Sequence, residues 1–432
     1  MMIEKKKNIE NNRIVGVVVF LCFLSIQLMS IDTLSFMSVP FMLSMVGLLA
    51  LNMTLKRENI PLVNGHLWLV ISFCILFISA LLSVNMQMSL QYVAYYILYG
   101  LVFTLLSFKC NWYSTCLKTQ LVFSLVHAVV TILSSIYTSA YYSLILPLYS
   151  PTIRGQIVYW MKNNNYPGVA GQIGTNSFFI SLGISITMAY LFSERTKKKG
   201  TLIFMLVIFI YALFLTGKRG LLIGNMVAIL VTWYFGPLSC KKTRIFKVFT
   251  ALVTMLTSLY FFSGVIPVLE QTIGRFLNNW GDADFSSGRI DLFKDAWQLF
   301  SQKYVFGYGI NTYTTLSMEG FNTDAGAHNE LLQLLAEVGV IGTIAYFIPI
   351  IWIFMKTISI LKNIFSKKIE KFNKYRPYLI ASLYVQIVIL FYSMIGNPFH
   401  YYNILFVYMI FSAIPIGIGL EIRREKRKEL LK

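Results

Sequence analysis

The chain has 432 residues, 56% of them hydrophobic and 16% aromatic, and its mean hydropathy is +0.65. No soluble domain hides that much apolar surface, so the composition excludes a soluble globular protein and points to a polytopic membrane protein. The net charge of +19 would suit a nucleic-acid binder, but the placement of the charges gives it another meaning.

Runs of ~20 apolar residues recur, and barrel-type alternation does not, so helical spans are expected. The runs predict about twelve: 14–31, 34–55, 66–84, 90–108, 117–138, 173–193, 200–216, 220–236, 245–264, 332–355, 377–396 and 399–419. Lys5-Lys6-Lys7 precedes the first run and no small-residue cleavage site follows, so that run reads as a retained helix. Spans 1 and 2, and spans 11 and 12, are joined by very short turns and read as hairpins. Cys22, Cys74, Cys110, Cys116 and Cys240 avoid the expected outer loops, so no disulfide is expected. No CxxC or Cys/His cluster points to a metal, and no cofactor is implied.

Orientation follows from Lys and Arg. With the N-terminus inside, all but eight of the 37 fall in inner segments. The eight are Arg154, Lys162, Lys218, Arg219, Arg275, Arg289, Lys294 and Lys303. The predicted topology is therefore N-in and C-in, and the excess positive charge is a cytoplasmic topology signal rather than a nucleic-acid footprint. Residues 1–432 read as one integral membrane domain with two long outer loops, 139–172 and 265–331. No internal repeat is visible, and the two halves do not match as those of an inverted-repeat transporter should.

Four stretches carry candidate chemistry. Thr216-Gly217-Lys218-Arg219-Gly220 joins spans 7 and 8 on the outer side, with two adjacent cations where the positive-inside bias disfavours them. It is either a solvated turn or an anion site; an Arg fork and the N-terminal amides of span 8 suit phosphate oxygens. Ser286-Ser287-Gly288-Arg289 opens an expected helix, with Ser286 or Ser287 as its cap. Ile290, Phe293, Trp297, Phe300 and Tyr304 share one face of it, either packed on the loop's own core or lying toward lipid. A cation in the first turn costs ~0.3–1 kcal/mol, so Arg289 needs an anion or a carboxylate such as Asp282 or Asp284 nearby.

Phe306-Gly307-Tyr308-Gly309 reads as a tight turn. His328-Asn329-Glu330 follows just before span 10, and Glu337 enters that span. Histidine as a residue titrates near neutrality, so His328 is suited to take a proton from a sugar hydroxyl, with Glu330 orienting it or acting as the base itself. An ionisable residue such as Glu337 is costly there; it marks function or pairs with an arginine. Arg154 in the first long loop, beside Asn163-Asn164-Asn165 and Tyr166, is a candidate glycan contact, as are Asn329 and Glu337. His127, deep in span 5, is expected to hydrogen-bond between helices. His66 and His400 sit at span edges and carry little signal.

The order of these motifs resembles the O-antigen ligase/Wzy-type polysaccharide polymerase family: Thr-Gly-Lys-Arg-Gly, Gly-Arg-x7-Trp, Phe-Gly-x-Gly, His-Asn-Glu-x-Leu and Glu-x-Gly-x-x-Gly. The resemblance covers about 216–345 by motif and the whole chain by topology. It implies a GT-C-like, metal-independent, inverting glycosyltransferase in the cytoplasmic membrane, working on its outer face. Its substrate would be an undecaprenyl-diphosphate-linked oligosaccharide. Further implied partners are the lipid bilayer and a chain-length regulator and flippase of the same pathway. Arg219 and Arg289 match the family's diphosphate-holding arginines, with Lys218 beside them where a small residue is usual, and His328 matches its loop histidine. Tyr304 stands where a proline often precedes the Gly-x-Gly turn.

The expected function is therefore a surface-polysaccharide polymerase. A ligase of the same family is the nearest alternative. A lipid-linked oligosaccharide flippase or other transporter, and a scaffold using the second long loop, are the readings from other classes.

Overall fold

The computed structural model describes residues 2–55, 64–109, 112–193, 199–235, 289–321, 326–366 and 370–430. Among these residues regular structure is entirely helical. Among the described residues seven segments are long and apolar enough to cross a bilayer, and Val15–Met29, Gly65–Leu81, Lys199–Leu215 and Arg219–Phe235 are shorter apolar helices. The span expected at 245–264, the serine cap at 286–287 and Asp282 and Asp284 lie outside the described residues.

The chain divides into two compact units. The first draws on residues 1–42, 111–285 and 360–388. In it, α5 (Tyr113–Ile136), α9 (Lys199–Leu215) and α10 (Arg219–Phe235) pack on α8 (Ile173–Phe192), and α1 (Met2–Met29) packs on α5. α8 is buried along nearly its whole length because its sequence alternates apolar residues with Gly, Ser and Thr. Ser177, Ser181 and Thr187 return their hydroxyls to carbonyls four residues back, which satisfies them inside an apolar bundle. His127 of α5 meets Asn176 of α8 at 2.8 Å and Gln27 of α1 at 2.6 Å, the interhelical role expected of it.

The stretch 139–172 holds more structure than an outer loop. It contains α6 (Thr138–Leu144) and α7 (Pro151–Lys162), with short 3-10 turns at Leu146–Leu148 and Gly168–Ala170. Its aromatic residues give it a core of its own, in which Tyr141, Tyr149, Ile157, Met161 and Tyr166 are buried with Ile31 and Leu215. The Tyr141 hydroxyl donates to Gly168 O at 2.8 Å, and Tyr149 donates to Val169 O.

The second unit draws on residues 43–110, 286–359 and 389–432. α3 (Asn64–Leu81) packs on α4 (Met86–Ser107), and α4 on α15 (Tyr402–Leu430), through stacked pairs Tyr95–Tyr402 at 4.3 Å and Tyr99–Phe406 at 4.5 Å. Asn85 caps α4 by accepting the Met88 N–H. His66 is buried against the rings of Phe103 and Phe108. α11 (Arg289–Gln302), α12 (Tyr313–Phe321) and the start of α13 (Glu330–Ser366) share a small core of Ala296, Leu299, Tyr313, Ala327 and Ala336. The connection between α14 (Arg376–Ser393) and α15, expected as a bare hairpin turn, is a shaped segment with a 3-10 turn at Pro398–His400.

Candidate functional site

The organising feature of the second unit is one face of α13. Glu330, Gln333 and Glu337 recur at three- and four-residue spacing, so they form a single polar stripe. All three are buried. Bare carboxylates there would be very costly, so each must be paired and hydrogen-bonded.

The partner is His400. Its Nδ1 lies 2.7 Å from Glu330 Oε1 and its Nε2 lies 2.8 Å from Glu337 Oε2. Only an imidazolium donates from both ring nitrogens at once, which this bridge asks for. Burial works against the charge, but the Glu337 and Glu330 carboxylates outweigh it and hold the imidazole pKa up to about 10. Backbone donors satisfy the remaining lone pairs. Phe399 N–H donates to Glu330 at 3.1 Å, and Asn311 and Tyr313 N–H donate to Glu337 at 2.7 and 3.1 Å. Gln333 adds an amide to Glu337 at 3.0 Å. Above the imidazole, Tyr92 bonds Tyr346 at 2.9 Å and donates to Phe399 O at 3.1 Å.

Sequence reading set His400 aside and offered Glu337 an arginine; the structure gives it the histidine. A signal was present. Two carboxylates seven residues apart on one helix face demand a buried cation, and the polar break Asn397-Pro398-Phe399-His400 between two apolar spans supplies one.

A second contact ties the same helix to the Phe306-Gly307-Tyr308-Gly309 turn. α13 is broken at Gly339, where φ is +64° and ψ −170°. The freed amides of Val340 and Ile341 donate to Tyr304 O and Val305 O at 2.9 and 3.4 Å, while Gly309 N–H donates to Glu337 O at 2.6 Å. Gly307 also has positive φ, +65°. Only Gly adopts such backbone freely, and a side chain at either position would strike the opposing main chain. The two glycine motifs of the sequence are therefore halves of one clasp. Val84 N–H donates to Tyr308 O at 3.0 Å, and Ser89 Oγ to Ile310 O at 2.6 Å, which extends the clasp to the start of α4.

The other residues singled out in the sequence lie as follows. His328 is half-buried and takes a left-handed backbone, φ +51°, two residues before α13. Such a conformation in a non-glycine residue is often held at a functional position. Asn329 caps α13, accepting the Leu332 N–H at 3.1 Å and donating to Met394 O at 3.3 Å. Arg289 is half-buried at the start of α11. In the first unit, Lys218 and Arg219 are half-buried at the start of α10, after Gly217 with φ +67°. The Asn163–Tyr166 turn closes on that stretch: Tyr166 N–H donates to Leu215 O at 3.1 Å, and a side chain on Gly217 would strike Asn165. Arg154 is exposed and holds the carbonyls of Tyr149 and Pro147 at 2.6 and 2.8 Å, so its guanidinium shapes its own loop. Among the described residues no group of three or more His, Cys, Asp or Glu side chains is arranged to hold a metal ion.

The apolar helices make this a multi-pass membrane protein. Residues 204–347, a third of the chain, match the family model described as O-antigen ligase. No curated protein matches the chain. The matched stretch bears out the family resemblance of the motifs and encloses Arg219, Arg289, His328, Glu330 and Glu337. It supports a ligase- or polymerase-type function in polysaccharide assembly.

Proposed function

We propose that the protein is a glycosyltransferase that joins lipid-diphosphate-linked oligosaccharide repeat units into a polysaccharide at the outer face of the cytoplasmic membrane. The match of residues 204–347 to the O-antigen ligase model carries the reading, since one stretch holds both the cations a diphosphate needs and the histidine an acceptor needs. In the reaction the acceptor hydroxyl oxygen attacks the anomeric carbon and the bond from that carbon to the diphosphate breaks. His328 takes the hydroxyl proton. Arg289, and Arg219 with Lys218, are assigned to phosphate oxygens, because the charge developing on the departing diphosphate needs fixed cations. Attack opposite the leaving group inverts the anomeric centre. The topology that puts this chemistry outside is the N-in, C-in arrangement set by Lys and Arg placement. Asn329 and Glu337 enter this reading through what they hold in place, Asn329 as the cap of α13 and Glu337 as an anchor of the 307–313 turn.

The test is a polymerisation assay on purified protein with an undecaprenyl-diphosphate-linked repeat unit. A ladder of products from wild type that disappears in His328→Ala and Arg289→Ala is the expected result. Ladders unchanged in both variants would move the chemistry away from this stretch. Transfer of one finished glycan to a lipid acceptor, with no ladder, would make the protein a ligase.

A further inference from the structure

α11 has three faces, not two. Leu292, Ala296 and Leu299 turn toward the protein, with Ala296 and Leu299 buried. Asp291, Lys294, Asp295, Gln298 and Gln302 form a polar face, on which Lys294 and Asp291 pair at 2.9 Å. Between these, at about 100° per residue, lies the apolar stripe of Ile290, Phe293, Trp297 and Phe300, which Tyr304 continues past the end of the helix. Most of that stripe stays outside the core: Ile290 is 53% exposed, Trp297 57% and Tyr304 62%, while Phe293 and Phe300 are half-buried.

The stripe runs on into an exposed apolar surface of a helix long enough to cross a bilayer. Past Gln302 the chain continues through Tyr304, Val305 and Phe306, all exposed, and these are tied by backbone hydrogen bonds to Val340 and Ile341 of α13. Val340, Ile341 and Ile344 are exposed on that spanning helix. No Asp, Glu, Lys, Arg or His interrupts α13 from Val338 to Met355, a run of about 27 Å at 1.5 Å per residue, close to the thickness of a hydrocarbon core. Glu330 and Glu337, bound to His400, precede it. The membrane boundary on this helix therefore falls near the break at Gly339, and the clasp brings Tyr304–Phe306 to that level.

We propose that α11 and Tyr304-Val305-Phe306 form a foot that seats in the headgroup–acyl boundary of the bilayer, its occupant a lipid surface. The protein-facing stripe anchors it, the polar face meets water, and the aromatic stripe between them meets lipid. Trp and Tyr are the side chains suited to that depth, with an apolar ring and a polar handle. The proposal does not depend on the glycosyl-transfer chemistry.

The full chain, reconstituted in phosphatidylcholine vesicles brominated at shallow or deep acyl positions, tests it. The emission of wild type minus that of Trp297→Phe isolates Trp297. Shallow bromines should quench that component about twofold more than deep bromines, and aqueous iodide should leave it nearly untouched. Tyr304→Trp in the Trp297→Phe background is a second reporter and should behave alike. Quenching of both by iodide and by neither brominated lipid would overturn the proposal. So would protection from all quenchers, or protection that arises only when lipid-linked oligosaccharide is added, which would make the stripe a platform for sugar rings.

Discussion

Gly307 and Gly339 meet main chain to main chain: a side chain on Gly307 would strike Glu337 and Val338, and one on Gly339 would strike Val305 and Phe306. Gly307→Ala and Gly339→Ala should each lower stability by about 1–3 kcal/mol from backbone strain, before any clash is counted. The double variant should cost less than the sum, because both break one contact. Thermal unfolding in detergent reads this, and unchanged melting temperatures in both single variants would show that the clasp does not hold.

His400→Leu strands two buried carboxylates and should cost about 3–5 kcal/mol. Adding Glu330→Gln and Glu337→Gln to that variant removes the stranded charge and should recover part of the loss. If the triple variant is less stable than His400→Leu alone, the charge bridge is not what the imidazole supplies.

The same bridge gives a pH dependence with a defined sign. The His400 pKa is raised from 6.5 to about 10 in the folded protein. Its contribution to stability is therefore complete below pH 6.5, declines above it, and is gone once the pH passes about 10. The melting temperature of wild type should fall over that window, relative to a His400→Leu variant that lacks this component. A wild-type profile parallel to that of the variant would refute the imidazolium.

His328 should behave in the opposite way. His328→Ala should reduce the rate of glycosyl transfer by ~10²–10⁴-fold, the usual worth of a general base, with little change in melting temperature. His400→Leu should lose both stability and activity. Measuring rate and unfolding on the same preparations separates a base from a brace.

Much of this was legible in the sequence. Eleven of the twelve predicted spans coincide with described helices, since an apolar run near bilayer length leaves the backbone little choice. Phe306-Gly307-Tyr308-Gly309 and Glu337-Val338-Gly339 could be recognised as motifs, but not as partners, because backbone pairing between distant segments leaves no mark in local periodicity. His400 was missed for a related reason. A histidine at a span edge is ordinary until one knows which carboxylates face it, and Glu330 and Glu337 are distant in sequence. The stretch 139–172 read as loop because Tyr, Asn, Pro and Gly break its apolar residues into runs far short of a bilayer span. Those tyrosines build a core by donating hydroxyls to carbonyls.

The Gly307–Gly339 contact also decides where this chain can be recombined with a relative. Residues 304–313 and 330–341 are complementary surfaces cut to each other's main chain, and Glu337 reaches into the 311–313 amides. A chimera that takes its extramembrane segment from one parent and its spanning helix from another splits that pair across a seam. Exchange points placed before residue 289 and beyond residue 341 inherit both halves together, so the two segments are best transplanted as one cassette that carries its own piece of the membrane helix.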